Sequence, residues 1–352
     1  LFRLRSGWKR IYVYSGVREL FFPGSYEISG GAGRHHAPGE RILPGGTTGT
    51  GSSDSHPECE QDGGKILLLP ASDGERPPGH GIPENRCLSD ETIRSFGLGY
   101  SNKYSNDLYL YLKKQGVSDE LLRESGLFNV DERQGMYDKF WNRVIFPIMD
   151  VNNRVIGFGG RVMGDGKPKY LNSPETRIFD KSRNLYGLNR ARTSRKPYFL
   201  VCEGYMDVIS MHQAGYTNAV ASLGTALTEQ HAALLKRYTD QVILTYDSDG
   251  AGVKAALRAI PILKRAGIST KVLNMRPYKD PDEFMKNLGA EEFEKRIETA
   301  RNSFLYEIDV LKAGFDMEDP EQKTAFYNQT ARKLLEFGEA LERDNYIQAV
   351  SR

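Results

Sequence analysis

Asp247 and Asp249, within Val242-Ile-Leu-Thr-Tyr-Asp247-Ser-Asp249-Gly-Ala-Gly252, are the residues of this chain best suited by type and spacing to do chemistry. A short apolar run rich in β-branched residues leads straight into two carboxylates and two glycines. Alternation along the strand puts Asp247 and Asp249 on the same face, at its carboxyl end, where open α/β sheets hold their ligands. Two hard oxygen donors that close together suit Mg²⁺ or Mn²⁺, and Gly250 and Gly252 allow backbone to approach a phosphate. The same residues also read, without chemistry, as an Asp-Ser-Asp helix cap and turn. Two more acidic groups favour a site. Tyr198-Phe-Leu-Val-Cys202 runs into Glu203-Gly-Tyr-Met-Asp207, and Thr270-Lys-Val-Leu-Asn274 is followed by Asp280-Pro-Asp282. One acid after each of three strands predicts a single metal-binding edge.

The elements that must position these acids alternate regularly. Strands are expected at 198–202, 218–221, 241–246 and 270–274, with helices at 205–214, 229–238 and 251–266 between them. Apolar runs of four to six residues alternating with helices predict a parallel sheet buried on both faces. His212 and His231 fall on the helices and read as packing or surface residues, not ligands. Upstream, Leu88-Ser89-Asp90-Glu91 opens a capped helix, and two further helical patterns span 107–115 and 118–125. Residues 142–150 and 154–162 read as strands joined by Val-Asn-Asn-Arg, a hairpin signal. Beyond Asp282 the chain turns helical and charged to its last residue.

The stretch Lys167 to Gly187 interleaves cations with Tyr and Asn, including Lys169, Tyr170, Asn172 and Lys181. That mixture suits a phosphate backbone and stacked bases, although the same composition describes a solvated loop. The net charge of +2 favours no partner, so any nucleic-acid contact must come from such a local patch. Cys59, Cys87 and Cys202 lack metal-ligand spacing, no apolar run approaches a membrane span, and the start shows no signal peptide, so a cytoplasmic setting is expected. No P-loop or dinucleotide fingerprint competes for the active site.

A Glu after one strand and a DxD after a later one is similar to the Toprim pattern shared by primases, topoisomerases and some nucleases. The segments 203–207 (EGYMD), 221–228 (ASLGTALT), 246–252 (YDSDGAG) and 279–284 (KDPDEF) together resemble, more narrowly, the RNA polymerase core of bacterial DNA primase. RVIFPI (143–148), IGFGGRV (156–162), KYLNSPET (169–176) and the FxKSRxLYGL pattern (179–188) extend the resemblance from about Leu88 to Arg352.

The resemblance implies template-directed joining of ribonucleoside triphosphates into primers on single-stranded DNA at a replication fork. Its fold would be a Toprim-type parallel sheet flanked by helices, preceded by a mixed α+β subdomain and followed by a helical one. The divisions expected are 88–195 (basic, template-binding), 196–285 (catalytic) and 286–352 (helical). Glu203, Asp247 and Asp249 would be catalytic. Mg²⁺ or Mn²⁺ would be held by these with Asp207, Asp280 and Asp282, and Glu203 could instead act as a general base. Arg143, Arg161, Lys169, Tyr170, Asn172 and Lys181 would contact template or nucleotide. Lys279, with Lys181, would neutralise the triphosphate. The alternatives are a Toprim nuclease or topoisomerase, and an inactive primase fragment. A monomer is expected. The family's helicase-binding domain is missing, and the sequence stops inside a periodic helix at Ser351-Arg352, as a truncated chain would.

Residues 1–87 differ in texture, holding 16 of the 36 glycines and 8 of the 16 prolines. Such a leader is expected to be disordered. A sharper reading is that it is primase DNA translated in the wrong frame. With free codon choice, the frame neighbouring Phe2 to Ile42 can spell a string beginning CFGCGAGG, similar to the end of the primase zinc-ribbon. On that reading the zinc site is absent, and Cys59, His35, His36 and His56 are not ligands.

Overall fold

The computed structural model describes residues 8–12, 19–23, 88–133 and 135–351. Within the leader it places two strands, β1 (Trp8–Tyr12) and β2 (Glu19–Pro23), paired antiparallel. The wrong-frame and zinc-site expectations otherwise lie outside the described residues.

From Leu88 the elements follow the expected order. Helix α1 (Asp90–Phe96) starts at Ser89, whose Oγ accepts from Thr92 N–H, and stops at Gly97, whose φ of 65° is the left-handed conformation that glycine adopts without strain. Strand β3 (Gly99–Ser101), helices α2 (Asp107–Lys114) and α3 (Asp119–Glu124) and the hairpin β4 (Phe128–Asp131) and β5 (Gly135–Asp138) come next. The predicted hairpin is β6 (Arg143–Met149) and β7 (Val155–Val162). Its turn is closed by Asp150, whose Oδ1 accepts from the N–H groups of Asn152 and Arg154. Strand β8 (Tyr170–Asn172) pairs with β7, and the sheet runs β1-β2-β7-β6-β3 with β8 off β7. A 3-10 turn (Lys181–Arg183) and the short helix α4 (Leu188–Ala191) lead out of it.

The second sheet alternates as expected: β9 (Phe199–Cys202), α5 (Tyr205–Gln213), β10 (Ala219–Ala221), α6 (Glu229–Lys236), β11 (Gln241–Leu244), α7 (Gly250–Arg265) and β12 (Ser269–Val272). Helix α8 (Pro281–Glu298) follows, broken at Gly289, and β13 (Arg301–Asn302) adds an antiparallel edge. Helices α9 (Ser303–Lys312), α10 (Pro320–Leu334) and α11 (Ala340–Val350) complete the chain.

The spatial order is β10-β9-β11-β12-β13, with the first four parallel. From β9 the chain moves outward to β10, then crosses back to β11 on the other side of β9. The sheet therefore reverses direction between β9 and β11, the switch point where the carboxyl ends of such sheets leave a crevice.

Alternation along the strands sorts the core. Leu200, Cys202 and Ile243 pack with Val208, Ile209 and Met211 of α5 and with Phe284 and Phe293 of α8. Phe199, Val201, Val242 and Leu244 pack on the opposite face with Leu235 of α6 and Ala259 and Leu263 of α7. Phe146 of β6 is fully buried and stacks on Tyr205 of α5 with centroids 5.3 Å apart, joining the two sheets' cores. Truncating Phe146 to Ala at such a position costs about 3–5 kcal/mol.

Candidate active site

The site forms where β9 and β11 end. Leu244 pairs with Val201, and Thr245 continues the contact by donating its N–H to Val201 O at 2.9 Å. Two residues on, Asp247 N–H donates to Glu203 Oε1 at 3.0 Å, across the switch point. The loop is held from the other side by Ser248 N–H donating to Lys279 O at 2.7 Å. Lys279 Nζ lies 3.5 Å from Asp247 Oδ2.

The strand does not carry Asp247 and Asp249 on one face, contrary to the expectation. It ends at Leu244, and both acids lie in the following loop. The ladder stops because Thr245 and Tyr246 turn into the core, where Thr245 Oγ1 donates to Val201 O and Cys202 Sγ. Asp249 is the N-cap of α7, its Oδ1 accepting from Ala251 and Gly252 N–H at 2.9 and 3.0 Å. The cap reading is therefore correct for Asp249, and it places an exposed carboxylate beside the half-buried Asp247. Gly252 is required sterically, because a Cβ there would sit 2.0 Å from Asp247 O.

The remaining acids divide by burial. Asp207 is buried, its Oδ2 accepting from Gly204 N–H at 3.0 Å at the start of α5. Asp280 caps α8, accepting from Glu283 N–H at 2.8 Å, with Pro281 at the first helical position. Asp282 is 4% exposed. It accepts from Ser210 Oγ of α5 and pairs with Lys286 Nζ at 3.1 Å, which departs from its expected place among open metal ligands. A carboxylate inside a helix packed on α5 is turned inward, and a hydroxyl and an ammonium meet it there.

Electrostatics follow this geometry. Burial raises the Glu203 carboxyl above its ordinary range, and the charges of Asp247 and Asp249 raise it further. Burial also raises Asp247, with Lys279 opposing. Asp207 is pushed up to about 8, by burial first and then by Asp280, Asp247 and Asp282. Asp249 is lowered by the N–H groups of Gly252 and Ala251. The rim thus holds more negative charge than Lys279 offsets. Among the described residues, no three His, Cys, Asp or Glu side chains converge closely enough to cage a metal.

The basic stretch is arranged less openly than its composition suggests. Lys169 is exposed, Tyr170 is 38% exposed and Lys181 is half-buried. Arg143 is buried instead of facing a ligand, its Nη1 donating to Pro168 O at 2.9 Å and Gly160 O at 3.4 Å. It pairs opposite Val162 in the β6–β7 ladder, so its side chain spans the sheet to hold the turn before β8. Asn172 is likewise occupied, accepting from Tyr205 OH and donating to Leu223 O at 2.9 Å. Arg161 Nε and Nη1 are buried without a hydrogen-bond partner among the described residues. Lys139 was not singled out from the sequence, where it is one lysine in a turn. It is half-buried, and its ammonium is lowered by burial and by the nearby charge of Lys181.

Four parallel strands with acids at their switch point, beside a basic β-hairpin region, define a Toprim-type core. Residues 200–285 match the family described as Toprim-like, and residues 82–192 match the DNA primase catalytic core, N-terminal domain. The chain belongs to the DNA primase family, with the DnaG catalytic core. A DNA primase of Clostridium acetobutylicum is 43% identical over 268 residues, 76% of this chain and 45% of the relative. The Escherichia coli primase catalytic core is similar with a TM-score of 0.65 and 37% identity, covering 76% of this chain and 87% of that one. A DnaG primase catalytic domain solved bound to single-stranded DNA is similar with a TM-score of 0.65 and 36% identity, covering 75% and 87%. The chain spans under half the length of the curated relative. Among the described residues, no helix is long and apolar enough to cross a membrane.

Proposed function

We propose that this chain joins ribonucleoside triphosphates into short RNA primers on a single-stranded DNA template. The observation that carries this reading is the tie between Glu203 and Asp247 across the switch point, with Asp249 and Lys279 beside them. Within it, residues 88–195 bind template, 196–285 carry the chemistry and 286–352 form the helical end. In the family, the replicative helicase is the binding partner.

The uncompensated charge at the rim and its all-oxygen donor set fit Mg²⁺ or Mn²⁺. Glu203, Asp247 and Asp249 would hold the ion at the open rim, with Asp207 and Asp280 behind. When bound, the ion supplies charge neutralisation and a lower pKa for the attacking 3′-hydroxyl.

The protein's own groups do the rest. Lys279 faces the acids and is placed to move from Asp247 to a triphosphate oxygen. Lys169, Lys181 and Lys139 offer cations to the template backbone, and Tyr170 offers a ring on which a base can stack. Arg143 and Asn172 act from behind, one holding the turn before β8 and the other tying β8 to the Ser222–Thr225 loop. Glu203, held at Oε1 by Asp247 N–H, keeps its second oxygen for an ion or a proton.

The test is Asp249→Asn, which keeps the cap acceptor and removes the charge. Primer synthesis from ribonucleotides should fall at least about a hundredfold while single-strand affinity stays within about twofold. Synthesis at the wild-type rate would refute the assignment. Cleavage of DNA without ribonucleotides would favour the nuclease alternative.

A further inference from the structure

His231 is wholly buried at the start of α6, and every polar atom of its ring is used. Its Nδ1 accepts from Thr228 N–H at 3.2 Å, while Nε2 lies 2.7 Å from Lys181 O and 3.1 Å from Asn184 O. Carbonyl oxygens only accept, so Nε2 carries the proton and the ring is neutral. Thr228 adds a parallel tie: its Oγ1 donates to Ser182 O at 2.8 Å while accepting from His231 N–H at 3.0 Å. Three successive bonds thus fasten the carbonyls of Lys181, Ser182 and Asn184 to the N-terminus of one helix.

The turn makes its own shape. Asp180 Oδ1 accepts from Ser182 N–H at 2.8 Å, and Asn184 Nδ2 donates to Asp180 O at 2.7 Å. What those bonds leave undetermined is where the turn sits relative to the catalytic sheet. A packing residue in this dry position would be apolar, because a buried imidazole without partners costs free energy. An acceptor on one side and a forked donor on the other is what the neutral ring provides.

We propose that His231 is a positioning residue for nucleic-acid binding: it anchors the Lys181 turn to α6 and so holds the Lys181 ammonium on the template path. This rests on the reading of Lys181 as a phosphate contact. His231 itself touches no ligand, being enclosed by Thr228, the turn and the core.

The experiment measures binding of the 352-residue chain to an oligo-dT strand by fluorescence anisotropy, from about 50 to about 200 mM salt. The variants are Lys181→Ala, His231→Leu, His231→Asn, His231→Gln and the double variant Lys181→Ala with His231→Leu. Thermal unfolding of each is followed in parallel. Losing one phosphate contact should lower the slope of log K against log salt by about 0.7 in Lys181→Ala. His231→Leu should lower it equally, and the double variant no further. Gln places an amide N–H near the Nε2 position and should restore the slope, with affinity within about twofold of wild type. Asn, too short to reach the Lys181 carbonyl, should behave like Leu and serves if the Leu variant does not fold. A wild-type slope in the folded Leu or Asn variant, with Lys181→Ala lowered, overturns the role of His231 alone. An unchanged slope in Lys181→Ala overturns the phosphate reading itself.

Discussion

Asp247 donates its backbone N–H to Glu203 Oε1 at 3.0 Å, so the glutamate expected to do chemistry also fastens the loop that carries the aspartates. The two residues lie 44 positions apart and meet only because β9 and β11 are neighbours. Structural and chemical roles at Glu203 can be separated by substitution. Glu203→Gln keeps an acceptor for Asp247 N–H and should unfold within about 1 kcal/mol of wild type, yet lose primer synthesis. Glu203→Ala leaves that N–H without a partner and should be about 1–3 kcal/mol less stable than Glu203→Gln. Urea unfolding beside a primer-extension assay checks both.

The two glycines after Asp249 should respond in opposite ways. A Cβ at Gly250 meets nothing within 4 Å, so Gly250→Ala at the start of α7 should be neutral or stabilising by up to about 1 kcal/mol. A Cβ at Gly252 would overlap Asp247 O, so Gly252→Ala must displace the acidic loop. Synthesis should be lost in the second and kept in the first, with far-ultraviolet circular dichroism unchanged in both.

Asp138 gives a pH dependence remote from the site. It is 2% exposed and accepts from the N–H groups of Leu108 and Tyr109 at the start of α2. Burial outweighs those bonds and raises its carboxyl from 3.8 to about 6. The folded state therefore binds the proton more tightly than the unfolded chain. Its contribution is full below about pH 4 and is lost as pH rises through 6, a change of about 3 kcal/mol. Against Asp138→Asn, whose side chain does not titrate, wild-type stability should decline by that amount between about pH 3 and 7 in denaturant titrations.

Asn172 and Tyr205 should be energetically coupled. Tyr205 OH donates to Asn172 Oδ1 while Asn172 Nδ2 donates to Leu223 O. Asn172→Ala strands both partners and should cost about 2–4 kcal/mol, whereas Tyr205→Phe removes one bond and should cost about 1 kcal/mol. A double-mutant cycle should return a coupling of about 0.5–3 kcal/mol. Additive effects would show that the bond does not join β8 to α5.

Residue type and local spacing were enough to read several parts of this protein. Ser89 before Asp90 marked a helix start, Asp150 to Arg154 marked a hairpin turn, and alternating apolar runs from Tyr198 to Asn274 marked a two-faced parallel sheet. These depend on contacts within a few residues, or on a strand's period of two, and so are written locally. Asp249 shows the limit even there, since a cap and a carboxylate ligand require the same residue and only the end of β11 at Leu244 shows that it caps α7. The inward turn of Arg143, the burial of Asp282 against Ser210, and the clamp of His231 on the Lys181 turn left no such signal. Each joins residues far apart in the chain, and each is polar in type, so composition suggested surface. The sequence by itself determined which acids exist and that each follows a strand. Only the tertiary structure decided that β9 lies beside β11, because strand order is set by how helices cover the two faces of the sheet, and no single segment records it.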